Sequence, residues 1–240
     1  MNGSQPVVFV DADDTLWENN RWFTAVIRDW AGFVGELGVD PDDAVTVLHE
    51  EEDDHIPVYG YGARPFCHSL RTAFARVVTA PDAAVVRSFE TFVADAETRI
   101  RDHRIDLLPG VAAGIATLAR AARLIVLTKG QPDEQNAKVA RSGLAAHFES
   151  VRVVPDKDEI CYLAAARDAG RAPEDCWMVG NSPASDVNPA RRVGLRTVLV
   201  PHHAPWHRDM APLIDSGPET LVVRTFGDVP PLILATVRTA

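Results

Sequence analysis

The sequence predicts an α/β fold: a parallel sheet whose first strand is separated from the others by a long helical insertion. Three observations predict it. The run Val7-Val8-Phe9-Val10 is short, β-branched and aromatic, the texture of a strand buried on both faces. From Trp17 to about His103 the pattern is helical only. After Leu108-Pro109-Gly110 strands and helices alternate, which implies a parallel sheet with right-handed crossovers.

Taken in order, residues 7–11 form the first strand. RWFTAVIRDWAGFVGEL carries an apolar stripe and ends at Gly38. PDDAVTVLHEEEDDH opens with Pro-Asp-Asp, which suits a helix start because Pro lacks the N–H that goes unpaired there. PFCHSLRTAFARVV and PDAAVVRSFETFVADAETRI follow, the second again opening at a proline. The later strands are RLIVLT (123–128), SVRVV (150–154), CWMVGN (176–181) and RTVLVP (196–201). Helices fill the gaps, DEQNAKVARSGL ending at Gly143 and EICYLAAARDAG at Gly170. TLVVRTF (220–226) adds one more strand, and a last helix lies near PPLILATV. No internal repeat or low-complexity linker interrupts this order.

Bulk properties exclude several classes. The 240 residues suit one large domain, or one domain carrying an insertion. Hydrophobic and charged contents of 46% and 24% are those of a globular protein. A formal net charge of -10 argues against general nucleic-acid binding, so an anionic substrate needs a local positive site. Cys67, Cys161 and Cys176 are odd in number and lack CxxC spacing, which argues against a disulfide framework or a zinc knuckle. The start MNGSQP is polar without a basic segment, and no apolar run reaches the ~20 residues of a membrane span. The expected address is the cytoplasm, with no membrane partner. Oligomeric state is not encoded in any pattern.

The chemistry lies at strand ends. The first strand stops at Asp11 and Asp13, with Thr15 just beyond. Ligands of open α/β sheets bind outside the carboxyl ends of the strands. Two carboxylates crowded there imply a cation, hence a metal. Three other segments share this property. RLIVLT ends in Thr128, then Lys129-Gly130; SVRVV runs into Pro155-Asp156-Lys157-Asp158; CWMVGN runs into Ser182, and GNSPASD carries Asp186. Parallel strands put all these ends on one edge. Carboxylates, a hydroxyl, lysines and glycine turns are what phosphoryl transfer uses: oxygen ligands for a metal, cations around the phosphoryl oxygens, and a nucleophile.

The series DADDT, VLTKG, Lys157 and GNSPASD resembles, in order and rough spacing, the four motifs of the haloacid dehalogenase superfamily of aspartate-nucleophile phosphohydrolases. The insertion after the first motif resembles its helical-cap subclass, and the resemblance covers essentially the whole chain. LTKGQPDEQNAKVARSGL, MVGNSPASDVNPARRVGLRTVLVPHHAPW and YGYGARPF look like a branch of small-molecule phosphatases. The resemblance implies Asp11 as nucleophile and Mg²⁺ ligand. It implies Asp13 as the acid for the leaving oxygen and then the base for water, its backbone carbonyl also on the metal. Thr128 and the next backbone N–H would hold a phosphoryl oxygen. Lys157 would neutralise phosphate and nucleophile, with Lys129 a further phosphate-side lysine, and Asp186 would complete the metal site. Many members have an acid directly after the glycine of the fourth motif; this chain has Asn181. Asp186 then ligates directly with Asn181 and Ser182 behind it, and the pattern leaves open which of them touches the metal.

Other features read more plainly. Asp14 is solvated or a cap. Three of the 24 Lys+Arg residues are lysines (129, 138, 157), and Lys138 falls inside a helix as a chance member. The run Glu50 to Asp54 with His55 is a solvated helix face. His202, His203 and His207 have zinc-like spacing but sit in a Pro-rich stretch without supporting cysteines, and read as a plain loop. Trp17, Asn20, Arg21 and Trp22 open the insertion, and aromatic residues there are usually core.

The sequence therefore predicts a Rossmann-like α/β core, residues 1–16 plus 105–240, and a helical cap at 17–104 placed to act as a lid. The expected function is Mg²⁺-dependent hydrolysis of a small phosphomonoester through an aspartyl-phosphate. Rivals are a 2-haloacid dehalogenase and a phosphomutase on the same scaffold, and a non-catalytic phospho-ligand binding module.

Overall fold

The structure is a computed structural model that describes residues 5–237. Residues 1–4 and 238–240, which the expected core and the reading of the N-terminal MNGSQP include, lie outside the described residues. The chain divides into two compact units, one taking in the chain up to Asn20 and again from Ile105, the other Arg21–Arg104.

In chain order the elements are β1 (Val7–Val10), α1 (Asn20–Glu36), α2 (Pro41–Tyr59), α3 (Ala63–Val77), α4 (Ala83–Arg101), α5 (Val111–Leu118), β2 (Arg123–Lys129), α6 (Pro132–Arg141), β3 (Ser150–Val154), α7 (Glu159–Asp168), β4 (Cys176–Gly180), α8 (Asn188–Arg192), β5 (Arg196–Leu199), β6 (Thr220–Val222) and α9 (Val229–Val237). A five-residue π-helical segment, Pro183–Val187, precedes α8.

All strands of the described sheet run parallel, in the order β3-β2-β1-β4-β5-β6. β1 is central, and the chain leaves it toward β2 on one side and β4 on the other. Its end is therefore the point where strand order reverses, the place such sheets keep for ligands. The pleat sends alternate residues to opposite faces. Val8 and Val10 join Leu124, Val126 and Val179 under Ile115 and Leu118 of α5, Val139 of α6 and Ile233 of α9. Val7 and Phe9 join Ile125, Leu127 and Met178 over Tyr162, Ala165 and Ala166 of α7 and Ala190 of α8. Both faces of β1 are covered, which is why its sequence is an unbroken apolar run. This is the Rossmann-like α/β core with an all-helical insertion.

The helical unit has its own core. Val26, Trp30 and Val34 of α1, Leu48 of α2, Phe66, Leu70 and Phe74 of α3 and Phe89, Val93 and Ile100 of α4 are buried together. Phe74 and Phe89 stack with centroids 3.8 Å apart. Asp40 caps α2 by accepting the N–H groups of Asp42 and Asp43.

Several details depart from expectation. α2 runs on past His55 through Pro57 to Tyr59. Pro57 lies in its last turn, where a missing N–H removes a single helical bond. The acidic run is a solvated face only in part: Glu50, Asp53 and Asp54 are exposed, but Glu51 and Glu52 are buried, and Glu51 accepts from Arg76 at 2.7 Å with His55 3.6 Å away. β5 stops at Leu199, ahead of Pro201, which has no N–H for a ladder. β6 is only Thr220–Val222, because Thr225 already closes a capping box with Asp228 ahead of α9. Among the described residues no helix is long and apolar enough to cross a membrane.

Candidate active site

Asp11 extends the sheet by one residue, its N–H donating to the carbonyl of Val179 at 2.9 Å. The chain then folds back, with Leu16 N–H on the Ala12 carbonyl and Asp14 N–H on that of Trp17, both at 2.8 Å. Asp14 takes φ of 60°, a conformation short polar side chains tolerate best after glycine. It is a buried cap: its carboxylate accepts the N–H groups of Asn19 and Asn20, where α1 begins. The solvated alternative for Asp14 is thereby excluded. Burial pushes its carboxyl up to about 7, against the pull of His202 and those two N–H groups.

Around Asp11 the strand ends converge. Lys157, after β3, donates to Asp11 Oδ1 at 2.5 Å and to Asp186 Oδ1 at 2.7 Å, with all three side chains buried. Thr15 Oγ1 lies 2.8 Å from Asp11 Oδ2 and 3.0 Å from Asn181 Oδ1. Asp186 Oδ2 accepts the Ser182 N–H at 3.0 Å, and Ser182 Oγ caps the π-helical segment by accepting the Ser185 N–H. Gly180 is required beside it, because a Cβ there would collide with the Asp186 carboxylate.

Burial, reinforced by Asp186 and opposed by Lys157, pushes the Asp11 carboxyl up to about 6. Burial also works against the charge on Lys157, but Asp11 and Asp186 outweigh it and hold the ammonium well above its ordinary value. One lysine between two buried carboxylates leaves negative charge uncompensated. The ligating atoms at hand are all oxygens, from Asp11, Asp186, Thr15 and the Asn181 amide carbonyl. Such a donor set fits a hard divalent cation such as Mg²⁺.

Asp13 is not part of that cluster. Its carboxylate accepts from Trp17 Nε1 and Gln135 Nε2 at 2.8 Å each, and both its oxygens lie 2.9 Å from Lys138 Nζ. Lys138 also donates to Asn19 Oδ1 at 2.8 Å. Burial works to raise the Asp13 carboxyl, but Lys138 and the hydrogen bonds of Gln135 and Trp17 hold it below its ordinary range. Lys138, read from sequence as a chance lysine in a helix, is 3% exposed and is the cation of this pair. Its one available signal was position: Gln135 and Lys138 are three apart on α6 and so share a face.

Thr128 is buried at the end of β2, its hydroxyl donating to the Lys129 carbonyl at 3.3 Å. Lys129 Nζ reaches Ser185 Oγ at 2.8 Å. Asp209 was not singled out by any motif. Burial raises its carboxyl against the pull of Lys129, and its backbone carbonyl accepts from Ser182 Oγ at 3.2 Å.

Residues 6–194 match the family model of haloacid dehalogenase-like hydrolases. A phosphoserine phosphatase of Thermus thermophilus is 37% identical over 112 residues, 44% of this chain and 45% of the relative, so that match spans under half of the relative's length. A glyceraldehyde 3-phosphate phosphatase of Methanopyrus kandleri is 24% identical over 214 residues, 87% of this chain and 88% of the relative. Among solved structures, a haloacid dehalogenase-like family hydrolase of Xanthomonas campestris superposes with a TM-score of 0.79 at 22% identity, covering 98% of both chains. A 2-haloacid dehalogenase of Pseudomonas syringae gives 0.62 at 23%, covering 99% of this chain and 100% of that one. At these identities the two structures establish the fold alone.

Proposed function

Because this chain belongs to the haloacid dehalogenase-like hydrolase family, we propose that it is a Mg²⁺-dependent phosphatase acting in the cytoplasm on a small phosphomonoester. The observation that carries the reading is the second carboxylate, Asp13, two residues beyond the first and fixed by Lys138, Gln135 and Trp17. Ester hydrolysis needs such a group twice, once to protonate an alkoxide and once to deprotonate water. A halide leaves without a proton, so a dehalogenase would need no acid for its leaving group and would use such a carboxylate at the water step alone. Both relatives described above bear the names of phosphatases, which supports the same class.

In the reaction we assign, Asp11 attacks phosphorus, the bond from phosphorus to the leaving oxygen breaks, and Asp13 supplies that oxygen with a proton. The aspartyl-phosphate on Asp11 is then attacked by water, whose proton goes to Asp13, and the bond from phosphorus to Asp11 breaks to release phosphate. Lys138 favours the ionised form of Asp13, which suits the second step. In the first step the incoming phosphate dianion offsets that pull. Lys157 keeps Asp11 and Asp186 in place and lowers the cost of bringing a dianion beside them. Thr128, Lys129 and the backbone amide after Thr128 are assigned to the phosphoryl oxygens. Asp11, Asp186 and the backbone carbonyl of Asp13 would hold Mg²⁺, with Asn181 and Ser182 supporting Asp186. When bound, the ion would neutralise phosphoryl oxygens and hold them in line with the nucleophile.

The test is release of inorganic phosphate from p-nitrophenyl phosphate and a panel that includes phosphoserine and glyceraldehyde 3-phosphate, beside halide release from 2-chloropropionate. Phosphate release that depends on Mg²⁺, with no halide release, is the expected result. Halide release in its place overturns the proposal. Turnover that stalls at a stable phospho-enzyme moving phosphate only to a second sugar or alcohol identifies a mutase.

A further inference from the structure

A second cluster of metal-ligating groups lies apart from the oxygen-only site. Glu18, just after the nucleophile loop, meets His202 and His203 on the loop after β5, with one ligand atom from each within 4.8 Å of the others. We propose that these three residues form a second metal site, selective for a borderline divalent ion such as Zn²⁺, which clamps the two loops together.

Four observations carry it. First, the His202 side chain is 1% exposed, yet its Nε2 has no hydrogen-bond partner among the described residues. Nε2 lies 3.3 Å from Glu18 Oε2 and 3.6 Å from Asp14 Oδ1, close enough to share an ion with them but not aligned to bond either directly. Second, Glu18 Oε2 is likewise buried without a hydrogen bond. A buried carboxylate oxygen and a buried ring nitrogen at ion-pair distance but without a hydrogen bond are costly unless a cation, a proton or a metal ion, joins them. Third, the other ring nitrogen of His202 is held by the backbone of Ala204, whose carbonyl lies 3.1 Å from Nδ1 and whose N–H donates to it at 3.3 Å. In the tautomer with its proton on Nδ1, directed at that carbonyl, the Nε2 lone pair is free to face Glu18. This is the arrangement that orients and strengthens a ligating histidine. Fourth, His203 closes the set from solvent, with Nδ1 3.9 Å from Glu18 Oε1 and its ring 4.3 Å from that of His202.

Two imidazoles and a carboxylate favour Zn²⁺ or its neighbours over Mg²⁺, which prefers oxygen and keeps its waters. Three protein ligands leave a fourth position to water. The same two loops are already joined by Asn20 Nδ2 donating to the Ala204 carbonyl at 3.1 Å, so the ion would reinforce an existing contact. His207, which the sequence spacing grouped with the other two, is not among the three. Glu18 is remote in sequence from the two histidines, so no local spacing reports it.

The test uses the full chain, stripped with chelator and titrated with Zn²⁺ and with Co²⁺ in excess Mg²⁺, so that the carboxylate site is filled. One Zn²⁺ per chain, a raised Tm and visible Co²⁺ absorption are expected. His202→Gln, Glu18→Gln and His203→Gln should each weaken Zn²⁺ binding by about tenfold or more. Asp186→Asn should leave it unchanged. His203 is 69% exposed on its side chain, so its variant reports on the ligand and not on the fold. The site is disproved by the lack of a stoichiometric Zn²⁺, or by Zn²⁺ binding that survives His203→Gln and His202→Gln but is lost in Asp186→Asn. Unaltered Zn²⁺ affinity in all three ligand variants disproves it equally. None of these readouts requires catalytic turnover.

Discussion

Lys138 Nζ stands 2.9 Å from each carboxylate oxygen of Asp13, a pair formed across 125 residues of sequence. Removing the lysine strands a carboxylate whose side chain is 21% exposed. Lys138→Met should therefore cost about 2 kcal/mol, less than the roughly 3–5 of a fully buried pair. Adding Asp13→Asn should recover about 1 kcal/mol of that loss, because the two changes remove one interaction. Denaturant unfolding of the four proteins in the cycle measures it, and strict additivity would show the pair to be incidental.

Asp11→Asn should abolish turnover, since an amide is a poor nucleophile. It should leave the metal-free protein as stable as the parent or more so. Burial raises the Asp11 carboxyl to about 6, so the ionised acid is already disfavoured where it stands. Activity above a few per cent, measured with Mg²⁺ present, contradicts the nucleophile assignment.

The carboxylates of Asp11 and Asp186 share the single ammonium of Lys157. Chelation should silence the enzyme and Mg²⁺ should restore it. Mg²⁺ should also raise the Tm of the parent but not of Asp186→Asn, because only an ion bound to the native state stabilises it. Thermal melts with and without chelator check this independently of any substrate.

Gly180→Ala should be more damaging than a methyl group suggests. The added carbon collides with the Asp186 carboxylate, which must then leave Lys157 and the Ser182 N–H. A loss of about 1–3 kcal/mol in stability is expected, together with loss of the Mg²⁺-dependent rise in Tm. A variant that keeps that rise shows that Asp186 is not a ligand.

Lys157→Ala should lower kcat/KM by two or more decades, about 3 kcal/mol at the transition state. Lys129→Ala should cost roughly tenfold, since Lys129 donates to Ser185 whereas Lys157 donates to the nucleophile itself. Steady-state kinetics of the two single variants compare them directly, and a larger loss for Lys129→Ala reverses the assignment of the two lysines.

By itself the sequence determined the elements and their order, because each rests on local signals: an unbroken apolar run for β1, a Pro-opened helix at 41, and glycine stops at 38, 143 and 170. It also placed Asp11, Lys157 and Asp186 at strand ends, and parallel pairing alone carries those ends to one edge. Only the tertiary structure decided which groups share a contact. It buried Glu51 against Arg76, turned Asp13 away from Lys157 toward Lys138 on α6, and set Glu18 beside His202 and His203. Each of these joins residues far apart in the chain, and no local pattern records such a pairing. The physical reason is that a buried charge must be compensated by whatever group the packing brings within reach, and that group is chosen by the sheet order β3-β2-β1-β4-β5-β6 and the helices laid across it.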